Sequence, residues 1–172
     1  LGYIKVNRFA ETTEKEFNRA IDKLKKEGAE QIAVDLRDNP GGILQAALKM
    51  ADEFLKDDQL MLFQKDRNNK RKNSYATSAG DFEDKPVFIL INENSASASE
   101  VVAGALQDND KGTIIGRRSF GKGLVQQEMQ LGDGSSVRLT VARYYTPTGR
   151  SIQRPYDTGN EDYEWKKPKD EW

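Results

Sequence analysis

Val87-Phe88-Ile89-Leu90-Ile91, followed by the polar stretch Asn92-Glu93-Asn94 and then by Ser95-Ala96-Ser97-Ala98-Ser99-Glu100-Val101-Val102-Ala103-Gly104-Ala105-Leu106, reads as an apolar strand that turns into a helix. A run of five apolar residues bounded by polar and turn residues is the mark of a strand covered on both faces. The helical spacing that resumes at Ser97 makes the pair a strand-helix unit. Working outward, Ile32-Ala33-Val34 is a second such strand, and these two are expected at the centre of one sheet. Tyr3 to Phe9 has the composition of a further strand. Thr13 to Glu16 fits a capping box opening a helix that carries Phe17, Ala20, Ile21 and Leu24 on one face and is closed by Gly28. Ile43 to Leu55 reads as a helix, and Met61 to Arg67 with Lys72 to Ser78 as two strands joined at Asn68-Asn69. From Thr113 the chain returns to strands separated by glycine turns such as Gly132-Asp133-Gly134, with Val137 to Tyr145 alternating as an antiparallel strand does. Alternation of strands and helices predicts an α/β fold with a largely buried sheet.

The chain of 172 residues is sized for one domain that buries a core without disulfides or a structural metal. It has 27 basic and 28 acidic residues, so no overall field draws it to nucleic acid or an anionic membrane, and no apolar run reaches the length of a membrane span. Residues 1–154 are expected to form the core, and 155–172 a charged, polar tail.

The sequence contains no histidine and no cysteine. A Ser-His-Asp triad, a histidine-ligated zinc and a thiol nucleophile are therefore excluded, and a hydrolase built from these residues needs another base. Lys122, in Ser119-Phe120-Gly121-Lys122-Gly123, is the substitute. To accept a proton from a serine it must be neutral, which demands a site shielded from water and carboxylates. If Lys122 to Val125 run as a strand, Lys122 and Gln126 share a face, where the amide would orient the amine. The bland readings are an exposed lysine on a glycine turn, or a phosphate loop, since Gly116 to Lys122 fits G-x-x-x-x-G-K. Gly123 in place of Ser or Thr, with no helix behind it, argues against the phosphate loop.

A serine at the start of the helix that follows the Val87 to Ile91 strand lies near the positive end of the dipole, which suits a nucleophile. Ser97-x-x-Glu100 is equally a capping box, and Ser95 and Ser99 remain rivals. In Asp35-Leu36-Arg37-Asp38-Asn39-Pro40-Gly41-Gly42, paired glycines let backbone N–H groups approach an anion and supply half of an oxyanion hole, although Asn-Pro-Gly-Gly also fits a plain tight turn. Asp157-Thr158-Gly159 matches an aspartic-protease triplet but lacks flanking apolar strands. Asp108 with Asp110, and Asp52 with Glu53, read as solvated pairs, and Lys65 to Lys72 as a solvated hairpin.

Together, Asp35 to Gly42, Asn94 to Glu100, Gly116 to Gln126 and Tyr145-Thr146-Pro147-Thr148-Gly149-Arg150-Ser151-Ile152 resemble, in order and spacing, successive motifs of the carboxyl-terminal processing (tail-specific) peptidases. The resemblance runs from about Gly2 to Gln153. It implies a serine endopeptidase whose dyad is Ser97 and Lys122, 25 residues apart, with Gln126 supporting the lysine and the N–H of Ala98 plus one from Gly41 or Gly42 holding the oxyanion. It also implies a crotonase-like core, no metal or organic cofactor, and protein substrates cut near a free, unstructured C-terminus. An extracytoplasmic setting such as the bacterial envelope is expected too. Members of that family carry a PDZ domain ahead of the strand resembling Tyr3 to Phe9, so the chain reads as an excised core. The competing reading is a non-catalytic peptide-binding module of the same fold, and a nucleotide-binding protein ranks last.

Overall fold

The structure, a computed structural model, describes residues 1–155. Its elements in order are β1 (Gly2–Lys5), α1 (Thr13–Lys26), β2 (Ile32–Asp35), α2 (Leu44–Asp52), β3 (Leu60–Asp66), β4 (Arg71–Tyr75), β5 (Val87–Ile91), α3 (Ala98–Asp108), β6 (Gly112–Gly116), β7 (Leu124–Gln130) and β8 (Ser136–Tyr145). They form a parallel sheet of order β1-β2-β5-β6 and an antiparallel sheet of order β4-β3-β8-β7. As expected, β2 and β5 are central in the parallel sheet. The chain is thus mixed α/β. The tail reading lies, past Pro155, outside the described residues, as does Asp157-Thr158-Gly159.

The strand order increases steadily across the parallel sheet. Right-handed crossovers then place α1, α2 and α3 on one face. Register puts Ile4, Val34, Ile89 and Ile114 in one row on that face, with Ile32 and Val87 beside them, and Ile32, Val34 and Ile89 are fully buried. The opposite face carries Tyr3, Ala33, Phe88, Leu90 and Ile115. Here the expectation of cover on both faces fails: Tyr3 and Ile115 are exposed and Phe88 and Leu90 half-buried, because no crossover delivers a helix to that side. The core beneath the helices is closed by Phe17, Phe54 and Phe82, packed edge to face at 6.0 and 6.4 Å. Helix α3 touches both β6 and β3, so it joins the two sheets.

Two local expectations are corrected. The strand foreseen from Tyr3 to Phe9 ends at Lys5, and Phe9 instead makes a single parallel bridge to Gly42. Thr13 does not cap α1. It is the first helical residue, its hydroxyl donating back to the Arg8 carbonyl (3.2 Å) and accepting from the Ala10 N–H (2.9 Å), so the capping box with Glu16 does not form. Gly28 does follow the end of α1, at φ 81°.

At the end of β2, the Asp35 carboxylate is buried and accepts from the Tyr3 hydroxyl (2.6 Å), the Arg37 N–H (2.9 Å) and the Arg37 guanidinium (3.0 and 2.8 Å). The Lys5 ammonium lies 3.5 Å away. The Arg37 guanidinium above all, then the Tyr3 hydroxyl, the Arg37 N–H and Lys5, hold this carboxyl far below the usual range against the opposing effect of burial. A depressed folded-state pKa stabilises the fold above the unfolded carboxyl's value, about pH 4, and that contribution is lost as pH falls further. Asp35→Asn is expected to lower unfolding stability at pH 7 by about 2 kcal/mol. It should also flatten the loss below about pH 4 relative to wild type. Urea titrations between pH 7 and 2 check this, and parallel curves for the two proteins would refute it.

Candidate active site

The site forms where β2 and β5 end and two turns face each other. Asp38, at φ 63°, is tied to the turn after β5: its N–H donates to Asn92 Oδ1 (2.9 Å), and its carboxylate accepts from Asn92 Nδ2 and Asn94 Nδ2, both at 2.8 Å. The Asn94 and Asn92 amides hold the Asp38 carboxyl below its ordinary pKa. Asn39 is fully buried. Its Nδ2 donates to the Val6 carbonyl (2.8 Å), its Oδ1 accepts the Gly41 N–H (2.9 Å), and its carbonyl accepts the Ala96 N–H (3.0 Å) and the Ser99 hydroxyl (3.0 Å). One asparagine therefore shapes the Asn-Pro-Gly-Gly turn and docks it against the start of α3.

The docking is close. A Cβ on Gly41 would lie 2.7 Å from the Ala96 carbonyl oxygen, 2.9 Å from the Ala98 nitrogen and 2.9 Å from Ser97 Cβ, and one on Gly42 would lie 2.0 Å from the Phe9 carbonyl oxygen. With φ of 97° and 141°, both positions demand glycine on two counts. Gly41 spends its N–H on Asn39, whereas none of the hydrogen bonds among the described residues uses that of Gly42.

The three serines separate by environment. Ser95 is fully buried, its hydroxyl donating to the Leu36 carbonyl (2.7 Å) and accepting the Asn92 N–H (3.0 Å); Ser99 is fully buried on Asn39. Ser97 alone of the three is partly exposed, at the N-cap of α3 with φ 55° and ψ −112°. A β-carbon residue at positive φ is strained, and such strain persists only where surrounding bonds over-determine it.

Those bonds come from Glu100, which is 6 % exposed. Its Oε2 accepts the N–H of Ser97 and the N–H of Lys122, each at 2.8 Å, and its Oε1 accepts the N–H of Gly121 (2.6 Å) and the Ser119 hydroxyl (2.7 Å). The backbones of Ser97 and Lys122 thus meet at one oxygen atom. The side chain of Lys122 is exposed, and its ammonium makes no hydrogen bond or ion pair with the described residues. Gln126 is also exposed. The shared strand face proposed for the two does not form, because β7 begins at Leu124 and a register shift falls between Val125 and Gln126. Lys122 instead sits in the loop ahead of the strand, and Gln126 pairs with Thr140.

Of the acidic residues read as solvated, Asp110 is exposed, whereas Asp52 and Asp108 are engaged by the fold. Asp108 binds the Thr148 N–H and hydroxyl and the Arg150 guanidinium, and Asp52 binds the Thr77 N–H and hydroxyl. The roles of Glu100 as a staple between loops, and of Asn39, escaped the sequence reading. The capping pattern pointed to the bond from the Ser97 N–H but carries no information about partners 19 to 22 residues away.

Comparison with known proteins gives the family. The sequence model of Peptidase family S41 matches residues 1–160. A carboxyl-terminal-processing protease of Picosynechococcus sp. is 38% identical over 154 residues, which is 90% of this chain and 37% of that protein. The carboxy-terminal-processing protease of Bartonella bacilliformis is 42% identical over 158 residues, 89% of this chain and 36% of that protein. The chain therefore spans little more than a third of such relatives. Among solved structures, the photosystem II D1 C-terminal processing protease superposes with a TM-score of 0.83 at 37% identity, covering 88% of this chain and 39% of that one. A putative S41 protease from Bacteroides fragilis shares the fold, with a TM-score of 0.73 at 18% identity over 86% of this chain and 43% of that one. A shared fold, relatives near 40% identity across nine-tenths of its length and a family match over residues 1–160 place this chain in peptidase family S41.

Proposed function

We propose that residues 1–154 are the crotonase-like catalytic core of a serine endopeptidase that cuts proteins near free C-terminal tails, as the names of its carboxyl-terminal-processing relatives suggest. Ser97 is the nucleophile and Lys122 the base. The observation that carries the reading is the single carboxylate of Glu100 holding the backbones of both residues. Neutral Lys122 takes the Ser97 hydroxyl proton as Oγ attacks the peptide carbonyl carbon. The resulting ammonium returns that proton to the leaving amine as the C–N bond breaks. Water, deprotonated by the lysine, then releases the acyl group as a carboxylate and restores the serine. Gln126 is assigned to support the amine on the family resemblance alone.

The oxyanion sits between the Ala98 N–H and that of Gly42. Gly42 is preferred over Gly41 because the Gly41 N–H is already bonded to Asn39. An open cavity of about 560 Å³ is bordered by Gly42 together with Arg8 to Thr12 and Ile43. Substrate laid over the site removes water from the exposed Lys122. Organic cofactors and metals have no part in these steps. A PDZ domain outside residues 1–154 captures the substrate C-terminus, and the protein works in an extracytoplasmic compartment. Among the described residues no helix is long and apolar enough to cross a membrane.

A serine-reactive fluorophosphonate applied to the intact protein that carries this chain tests the roles. Wild type should gain one adduct on Ser97, and Ser97→Ala and Lys122→Ala should each lose at least about 10³-fold in labelling and cleavage rate. Adduct on Ser97→Ala would refute the nucleophile, and undiminished labelling of Lys122→Ala the base. Equal binding of an unfolded protein by wild type and Ser97→Ala, with no cleavage by either, is what the binding-module alternative requires.

Glu100→Gln keeps volume but turns an NH₂ toward donors. We expect a folded protein whose labelling rate falls by about 10²-fold, as loss of alignment between reacting groups would cause. A wild-type rate from this variant would show that the shared carboxylate does not position the pair.

A further inference from the structure

The loop bearing Lys122 is held on a second side by a strap that follows β8. After Tyr145 the chain turns through Thr146 to Arg150, anchored to the C-terminal end of α3 where Asp108 binds Thr148 and Arg150. It then doubles back: Tyr145 bridges Ser151, Ile152 N–H donates to the Tyr144 carbonyl (3.3 Å), and Arg154 N–H donates to the Gly121 carbonyl (3.1 Å). The Gln153 side chain reaches across this strap, its Oε1 accepting the Gly123 N–H at 3.0 Å while its Nε2 donates to the Arg154 carbonyl at 3.1 Å.

The fit explains both glycines around Lys122. A Cβ on Gly123 would lie 2.4 Å from the Gln153 nitrogen and 2.9 Å from the Ile152 carbonyl carbon, and one on Gly121 would lie 2.9 Å from Arg154 Cβ. Three consecutive N–H groups, those of Gly121, Lys122 and Gly123, are all spent on side chains from elsewhere in the fold, two on Glu100 and the third on Gln153. Glu100 fixes the loop from the start of α3. Gln153 fixes it through a strap moored at the far end of the same helix.

We propose that Gln153 is a positioning residue for Lys122, setting through the Gly123 N–H the direction in which the lysine leaves its loop. The proposal rests on the reading of Lys122 as the base. Losing the acceptor frees Gly123 to rotate, so the amine is aligned less often and is wetter when it is.

The test uses Gln153→Met, which keeps length without an amide oxygen, and Gln153→Glu, which restores an oxygen acceptor. Fluorophosphonate labelling of Ser97 is followed against pH in the intact protein. Gln153→Met should label about 10-fold more slowly, with the acid limb of its rate displaced to higher pH, and the Gly123 amide should exchange with solvent about 10-fold faster. Gln153→Glu should recover to within about threefold of wild type on the alkaline plateau. If Gln153→Met does not fold, Gln153→Asn, which withdraws the oxygen by one methylene, carries the same expectation. A wild-type rate and acid limb in Gln153→Met, with Lys122→Ala inactive, overturns this role while leaving the dyad intact. Wild-type labelling of Lys122→Ala, or no labelling of wild type, overturns the dyad reading and this proposal with it.

Discussion

A single buried carboxylate determines how the two halves of the site relate. Glu100 accepts hydrogen bonds from Ser97, Ser119, Gly121 and Lys122. A buried carboxylate is costly unless its oxygens are satisfied, and four donors meet that need. The benefit is mutual, because three of them are backbone N–H groups in turns that lack regular secondary structure and would otherwise lie unpaired. The serine turn and the lysine loop therefore form together around one charge. The bond from its N–H to Glu100 helps to hold Ser97 at φ 55°.

The rest of the fold sets this carboxylate in place. Steady strand order puts all three helices on one face of the parallel sheet, and α3, following the central strand β5, is wedged between that sheet and the antiparallel one. Its first turn faces the Asn-Pro-Gly-Gly turn after the neighbouring central strand β2, consistent with sites gathering beyond the carboxyl ends of parallel strands. Asp38 through its side chain and Asn39 through its backbone carbonyl lock the two turns together, so the approach of Gly41 to Ala98 does not rely on loop packing alone.

What could be read from the sequence was whatever a local period or a local turn encodes. The apolar runs Ile32 to Val34 and Val87 to Ile91, the helical faces of α1 and α3 and the glycine turns all follow from short-range rules, and the structure contains each of them. The order of motifs along the chain carried the family. Local rules failed where a partner outside the expected pattern won. Thr13 has a box partner at Glu16 but bonds to Arg8 and Ala10 instead, and Lys122 lies two residues short of the strand that alternation alone would extend through it. The open face carrying Tyr3 and Ile115 was also illegible, since an apolar run looks the same whether one or both of its faces are covered.

The exposure of Lys122 follows from the same division of labour. Its backbone is fixed on both sides, by Glu100 and by the strap through Gly121 and Gly123, while its four-carbon side chain stays in water. Burying an unpaired ammonium permanently would cost several kcal/mol, a large share of a domain's stability of about 5–15 kcal/mol. A side chain left in water on a backbone held from both sides avoids that cost. On the proposed role of Lys122 as base, proton transfer is confined to the occasions when a peptide chain covers the site.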